Sequence, residues 1–212
     1  MQPFTKVSGV AAALPQGNVD TDVIMPKQFL KGITREGLAR GVFYDLRFDA
    51  TGNERPDFVL NSPGYRQPVF LAVGPNFGCG SSREHAVWGL QQFGVRALIG
   101  SSFASIFQDN CFRNGLLPVS LTPEQARLVQ SVCSDPTHNT LEIDLAAQTI
   151  VLGEGSRIDF DIDPLRKDDL LSGRDAIAST LRYAADIATF ELAHWESQPW
   201  LHPALKPSTH GP

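Results

Sequence analysis

The sequence predicts an α/β protein: a mainly parallel central sheet flanked by helices, with a small sheet of hairpins and C-terminal helices added to it. Three observations predict this. Val69-Phe70-Leu71-Ala72-Val73 is a continuous apolar run of strand length, the pattern of a strand covered on both faces. From Val69 to Leu121, strand, helix, strand, helix and strand patterns follow one another, an order that implies parallel strands joined by right-handed crossovers. Short alternating runs then lie between residues 140 and 162, as expected of hairpins.

Taken in order, Phe4 to Leu14 combines β-branched and small apolar residues and ends at Pro15-Gln16-Gly17-Asn18, a cluster of turn formers. A strand followed by a loop is expected. Val19 to Gly41 mixes acidic, basic and glycine positions around Pro26 to Leu30 without sustained periodicity, and two short helices are expected in it. Thr51 to Tyr65 is broken by Gly52, Pro56, Pro63 and Gly64, with a short strand expected at Phe58 to Leu60. After the Val69–Val73 strand comes a glycine-rich loop, Gly74 to Ser82. The helix that follows spans about Arg83 to Phe93, with Ala86, Leu90 and Phe93 on one stripe and Gly94 positioned as its cap. Ala97 to Gly100 is the next strand, Phe103 to Asn114 a helix stopped by Gly115, and Leu116 to Leu121 a strand. Pro123 to Ser134 is a helix with proline in its first turn. Thr140 to Asp144, Thr149 to Leu152 and Arg157 to Ile162 are the hairpin strands. Pro164 to about Ser197 carries Leu170, Ile177, Leu181, Ile187 and Phe190, and reads as two helices broken near Gly173. The domain is expected to span residues 1–198, and residues 199–212, with four prolines, to form a flexible tail.

The composition narrows the function classes. The chain has 212 residues, 42% of them hydrophobic, without an apolar run near the ~20 residues of a membrane-spanning helix. No basic segment followed by an apolar stretch marks a secretory signal in Met1 to Val10, so a cytoplasmic location is expected and a membrane partner is not. Eighteen basic against twenty-three acidic side chains, with no basic stripe, argue against nucleic acid as a partner. Cys79, Cys111 and Cys133 are odd in number and widely spaced, which suits a reducing compartment and supplies no metal-binding signature.

The informative stretch is Asn76-Phe77-Gly78-Cys79-Gly80-Ser81-Ser82-Arg83-Glu84-His85-Ala86, where an apolar strand hands over to a helix. In a parallel sheet that junction lies at the carboxyl ends of the strands, where ligands bind, and a helix start favours an anion. Gly78 and Gly80 would allow close approach of a ligand, Arg83 supplies a fork of donors matched to a carboxylate, and Ser81 and Ser82 supply hydroxyls. A dinucleotide fingerprint is disfavoured, since the third glycine and an acidic residue about twenty positions on are both missing. The G-x-S-x-G of hydrolase elbows is absent. Ser81 with Glu84 also fits an S-x-x-E capping box, a structural role compatible with ligand binding.

Gly80-Ser81-Ser82-Arg83-Glu84-His85-Ala86 resembles the signature of the aconitase swivelling domain, and Ser102-Phe103-Ala104-Ser105-Ile106-Phe107 with Asn114-Gly115-Leu116-Leu117-Pro118 resembles the segment that follows it in that superfamily. Asn18-Val19-Asp20-Thr21-Asp22 and Ile24-Met25-Pro26-Lys27-Gln28-Phe29-Leu30 resemble the stand-alone small subunits of the 3-isopropylmalate dehydratase family, with Met25 where isoleucine is more usual. The likeness runs from about Phe4 to Phe190. It implies a swivelling β/β/α domain and a hydro-lyase that isomerises 2- and 3-isopropylmalate by dehydration and rehydration, in leucine biosynthesis. Citraconate, methylmalate or homoaconitate hydration is the alternative within the chemistry, and a non-catalytic carboxylate-binding or assembly module the alternative outside it.

The resemblance also implies roles. Ser81 matches the base that removes the carbon-bound proton, and Arg83 the arginine that binds a substrate carboxylate. Ser82 is a donor to that carboxylate, and Asp22 either lines the site or forms a turn. Leu30 is expected to contact the isopropyl group. Lys31 is a cationic candidate for a second carboxylate, as are Lys27 and Arg35. The reaction draws on a 4Fe-4S cluster. The three cysteines lack the spacing to hold one, so no cofactor or metal is expected on this chain. The cluster is expected on a separate large subunit, the partner in a heterodimer or heterotetramer. Cys79 reads as a small loop residue and His85 as a satisfied helix residue.

Overall fold

The structure, a computed structural model, describes residues 1–30 and 36–202. It divides into two compact units, Met1–Asp175 and Ala176–Pro212. Among the described residues of the first unit are seven strands: β1 (Lys6–Leu14), β2 (Phe70–Val73), β3 (Ala97–Gly100), β4 (Leu117–Ser120), β5 (Thr140–Asp144), β6 (Thr149–Val151) and β7 (Arg157–Asp159). They form one sheet in the order β4-β3-β2-β1-β5-β6-β7. From β4 to β1 the pairings are parallel, with Leu14 opposite Val73 and Ala72 opposite Ile99. On its other edge β1 pairs antiparallel with β5, and the β5-β6-β7 hairpins continue from there. The hairpins are thus an extension of the central sheet through β1, whose nine residues are long enough to serve both partners.

Side-chain alternation along the strands separates two cores. One face carries Ala13, Phe70, Ala72, Ile99 and Val119 against α5 (Pro123–Cys133) and Leu170 of α6 (Pro164–Ser172). The other carries Ala12, Leu14, Leu71, Val73 and Leu98 against α3 (His85–Gln92) and α4 (Ser105–Asn114). Burial on both faces explains why β2 and β3 are uninterrupted apolar runs, whereas β5 alternates. Helix ends are set by local chemistry. Gly115, at φ 83°, caps α4; Thr122 and Gln125 form a reciprocal capping box at the start of α5; Asp163 caps α6 ahead of Pro164.

Two elements differ from expectation. Phe58 to Leu60 is not a strand: a 3-10 turn spans Val59–Asn61, and the Asn61 side chain donates to the carbonyls of Arg47 (2.7 Å) and Arg55 (2.8 Å). A buried amide that ties two loop carbonyls together leaves this segment no role in a ladder. The C-terminal stretch breaks at Gly173, as expected, and again at Tyr183. It therefore forms α6 and, in the second unit, α7 (Ala176–Leu181) and α8 (Ala184–Ser197). Within that second unit Ile177, Phe190 and Trp200 are exposed. Of the tail expected over residues 199–212, a 3-10 turn, Pro199–Leu201, and His202 are described, and the rest lies outside the described residues. Two short helices, α1 (Thr21–Ile24) and α2 (Tyr44–Arg47), lie on the α3 side of the sheet, where Ile24, Met25, Val42 and Phe43 are buried. Among the described residues no helix is long and apolar enough to cross a membrane.

Candidate active site

Backbone hydrogen bonds continue the β1-β2 pairing past the carboxyl ends of both strands. Asn18 N–H donates to Pro75 O (2.8 Å), Gly78 N–H to Val19 O (2.8 Å) and Thr21 N–H to Cys79 O (2.8 Å). The loop after β3 joins from the other side: Ala104 N–H donates to Phe77 O (3.0 Å), and Asn76 N–H to Ser102 Oγ (2.9 Å). Three loops at the carboxyl edge of the parallel strands therefore converge on the Gly78–Arg83 segment, where an α/β sheet forms its binding crevice.

Gly78 has φ 78°, and a Cβ there would lie 2.1 Å from the buried Phe107 ring, which packs edge-on against Phe77. Gly80, at φ 95°, faces Asp20 Cβ at 3.0 Å from where its own Cβ would stand. Both glycines are required by the chain's own packing and dihedrals, a more immediate constraint than the ligand approach expected of them. The turn they permit delivers Ser81 against α1.

Ser81 Oγ lies 2.6 Å from the hydroxyl of the buried Thr21 and accepts from Arg83 Nε (3.0 Å), with Arg83 N–H directed at it from 3.4 Å. A second guanidinium nitrogen, Nη2, donates to the Asp22 carboxylate, whose other oxygen lies 3.6 Å from Lys27 Nζ. Asp22 is thus occupied in orienting Arg83, and Lys27 in flanking Asp22. The Arg83 side chain remains one-third exposed, at 33%. Such exposed ion pairs add little stability, and their consequence here is geometric.

The capping box that Ser81 and Glu84 also fit does not form. α3 begins at His85, no side chain caps it, and Glu84 instead accepts from Asn114, which in turn accepts from Trp88 Nε1 (3.0 Å). Ser81 is left to Thr21 and Arg83. Ser82 is exposed, with its carbonyl held by Asn110 Nδ2 at 3.2 Å, and His85 packs its ring on Trp88. An open depression of about 510 Å³ is lined by Gly78, Gly80, Ser81, Ser82, Ala104, Ser105 and Ile106. Two other depressions, of about 650 and 710 Å³, contain no residue of this loop.

Leu30 is half-buried against the core on the α3 side and does not line the depression. Lys31 and Arg35 lie outside the described residues. Thr21, Ser105 and Ile106 carry no expected role from the sequence, although each falls in a segment that bears the resemblance. Cys111 and Cys133 are buried in the cores on opposite faces of the sheet, and burial raises both thiols, that of Cys133 to about 12. Cys79 stands apart from both in the loop, half-buried. Cluster ligation needs converging thiolates, and these three residues do not provide them.

The family model for the aconitase C-terminal domain matches residues 1–124 and the LeuD_N model residues 126–164. The model for the C-terminal domain of the 3-isopropylmalate dehydratase small subunit matches residues 177–204. Among curated proteins, the chain is 54% identical over 208 residues to 3-isopropylmalate dehydratase small subunit 2 of Salmonella typhimurium, covering 98% of this chain and 99% of that one. It is 53% identical over 201 residues to the 3-isopropylmalate dehydratase small subunit of Caulobacter vibrioides, covering 95% and 99%. Among solved structures it is similar to a 3-isopropylmalate dehydratase chain of Methanocaldococcus jannaschii, with 25% identity and a TM-score of 0.64 over 88% of this chain and 99% of the other.

Proposed function

The chain belongs to the 3-isopropylmalate dehydratase small-subunit family of the aconitase superfamily, and from this we propose that Ser81 and Arg83 form the proton-transfer half of a hydro-lyase site whose other half lies on a large subunit. The reaction is the interconversion of 2- and 3-isopropylmalate. A carbon-bound proton and a hydroxide leave adjacent carbons, a carbon-carbon double bond forms, and water returns with the positions exchanged. Ser81 Oγ takes the proton and gives it back. Its ordinary hydroxyl is a poor base, so its alkoxide must be stabilised by donors fixed in advance.

Arg83 is such a donor, reaching Ser81 Oγ at 3.0 Å while Asp22 holds its other branch. This bridge from Asp22 through the guanidinium to Ser81 is the observation that carries the reading. The guanidinium edge not taken by Ser81 and Asp22 binds a substrate carboxylate, assisted by the neighbouring Ser82 hydroxyl. The 4Fe-4S cluster implied by the resemblance does not fit this chain, whose cysteines are dispersed, so it is assigned to the large subunit. The two chains assemble as a heterodimer or heterotetramer in the cytoplasm. Specificity for the isopropyl group is assigned to the segment from Phe29 to Arg35, with Leu30 and Lys31 as its contacts.

The test is reconstitution. The purified chain is mixed with a cluster-loaded large subunit, and formation of the unsaturated intermediate is followed by absorbance with 3-isopropylmalate, methylmalate and homoaconitate as substrates. Turnover of isopropylmalate is expected; a complex inactive on it but active on methylmalate would make the substrate assignment wrong.

A further inference from the structure

Among the described residues, Thr21 is the buried polar side chain in contact with Ser81, and proton transfer by Ser81 and Arg83 leaves it without a task. Its residue is 3% exposed, its N–H is held by Cys79 O at 2.8 Å, and its carbonyl is held by Met25 N–H at 2.9 Å. Asp20 fixes the turn from the other side by accepting from the N–H groups of Asp22 and Val23, both at 2.8 Å. The Thr21 hydroxyl is therefore placed by two hydrogen bonds of its own backbone and by the turn that the Asp20 carboxylate caps. Among the described residues its hydrogen-bond partner is Ser81 Oγ, at 2.6 Å.

The other donors to Ser81 cannot reverse. Arg83 Nε–H and N–H only donate, whatever the state of the serine. A threonine hydroxyl both donates and accepts. When Ser81 carries its proton, Thr21 can accept it; when Ser81 is the alkoxide, rotation about the Thr21 C–O bond turns the same hydroxyl into a donor. Thr21 is buried while Ser81 is half-buried and lines the depression, so on the Thr21 side water does not substitute for the threonine hydroxyl, and an alkoxide deprived of it would lose a donor fixed in advance.

We propose that Thr21 is a positioning residue for Ser81, its hydroxyl donating to the alkoxide and accepting from the serine after proton capture. This rests on the assignment of Ser81 as the base. The proton balance is closed: the carbon-bound proton passes to Ser81 Oγ and the carbon-hydrogen electron pair goes into the new double bond as hydroxide leaves the adjacent carbon; on re-addition hydroxide bonds to the carbon that lost the proton, and Ser81 returns its proton to the carbon that lost the hydroxyl. Ser81 begins and ends the cycle as alkoxide. Among the described residues, the charged groups around it are Arg83 on its own loop, with Asp20, Asp22 and Lys27 on the α1 side. Glu84 is turned away to Asn114, and the Ala104–Ile106 side of the depression contributes no titratable group.

The experiment measures kcat and KM against pH for the complex reconstituted with Thr21→Val, Thr21→Ser and Ser81→Ala. Loss of a hydrogen bond to a charged group predicts that Thr21→Val lowers kcat about ten- to hundredfold with KM little changed. The limb on which kcat rises with pH should move upward by about one to two units, the same factor read on another axis. Thr21→Ser should restore both rate and limb to within about threefold of the parent. A limb that stays in place in Thr21→Val, or a Ser variant as impaired as the Val variant, overturns the proposal. If the Val variant fails to assemble, Thr21→Ala is scored by the same limb. Full turnover in Ser81→Ala would show instead that the base is another group, and the role of Thr21 would fall with it.

Discussion

Replacing Gly78 by alanine probes the turn that presents Ser81. Two terms oppose the substitution. At φ 78° an alanine occupies the left-handed region, at a cost of about 1–2 kcal/mol. Its Cβ would also stand 2.1 Å from Phe107 Cγ, and that ring is 1% exposed and locked edge-on to Phe77 at 5.7 Å between centroids. Overpacking of a closed core adds about 1–3 kcal/mol, for about 2–5 kcal/mol in all. For a domain of this size each kcal/mol lowers the melting temperature by about 2–4 °C, so a fall between about 4 and 20 °C is expected. Thermal unfolding followed by near-ultraviolet circular dichroism measures it. Gly80→Ala is the internal control: φ 95° gives the same dihedral strain, but the nearest atom, Asp20 Cβ, is 3.0 Å away, so the loss should be confined to about 1–2 kcal/mol. A Gly78→Ala protein that melts with the parent, or one less affected than Gly80→Ala, would refute the packing argument.

Other outcomes follow from the same geometry. Arg83→Lys keeps the charge but cannot span Ser81 and Asp22 together, so kcat should fall by about 10²–10³ while co-elution with the large subunit persists; a fall of less than threefold would contradict the bridge. Burial and raised pKa values keep Cys111 and Cys133 as inaccessible thiols, so a thiol reagent at pH 8 should label neither until the protein is unfolded, as mass mapping would report. Asp49 is held at about 2, below its ordinary 3.8, by hydrogen bonds from the Thr51 side chain and the Asn53 backbone. Because the folded value is the lower one, its contribution to stability is present above pH 4 or so and is lost as pH falls through about 2. A nuclear magnetic resonance titration of its carboxyl should give a midpoint near 2; a midpoint near 3.8 would contradict the contacts.

The parallel half of the fold was legible because β2, β3 and the helices α3, α4 and α5 are defined by local signals: unbroken apolar runs, glycine stops after α3 and α4, and a proline in the first turn of α5. The union of the hairpins with the central sheet was not, since β1 reads as a strand but nothing local says that its second edge takes β5. The extra break at Tyr183 carries neither glycine nor proline, and the Phe58 segment was misread because Phe58, Val59 and Leu60 pack into the core on the α3 side as part of a 3-10 turn, which an apolar run this short does not distinguish from a strand. At the site, Ser81, Ser82 and Arg83 were legible from one contiguous motif. Their supports were less so. Thr21 stands 60 residues from Ser81, and the hydroxyl-to-hydroxyl contact depends on the two loops being zipped together beyond their strands. The glycines were noticed as positions allowing close approach of a ligand, whereas the close neighbours in the structure are the chain's own Phe107 at Gly78 and Asp20 at Gly80.

The central claim is tested most directly by Ser81→Ala in the reconstituted complex, with co-elution of the two chains and turnover measured on the same sample. Removing the general base should lower kcat on isopropylmalate by at least about 10²–10⁴ while the two chains still elute together. Turnover within twofold of the parent, from a complex equally well assembled, would contradict it.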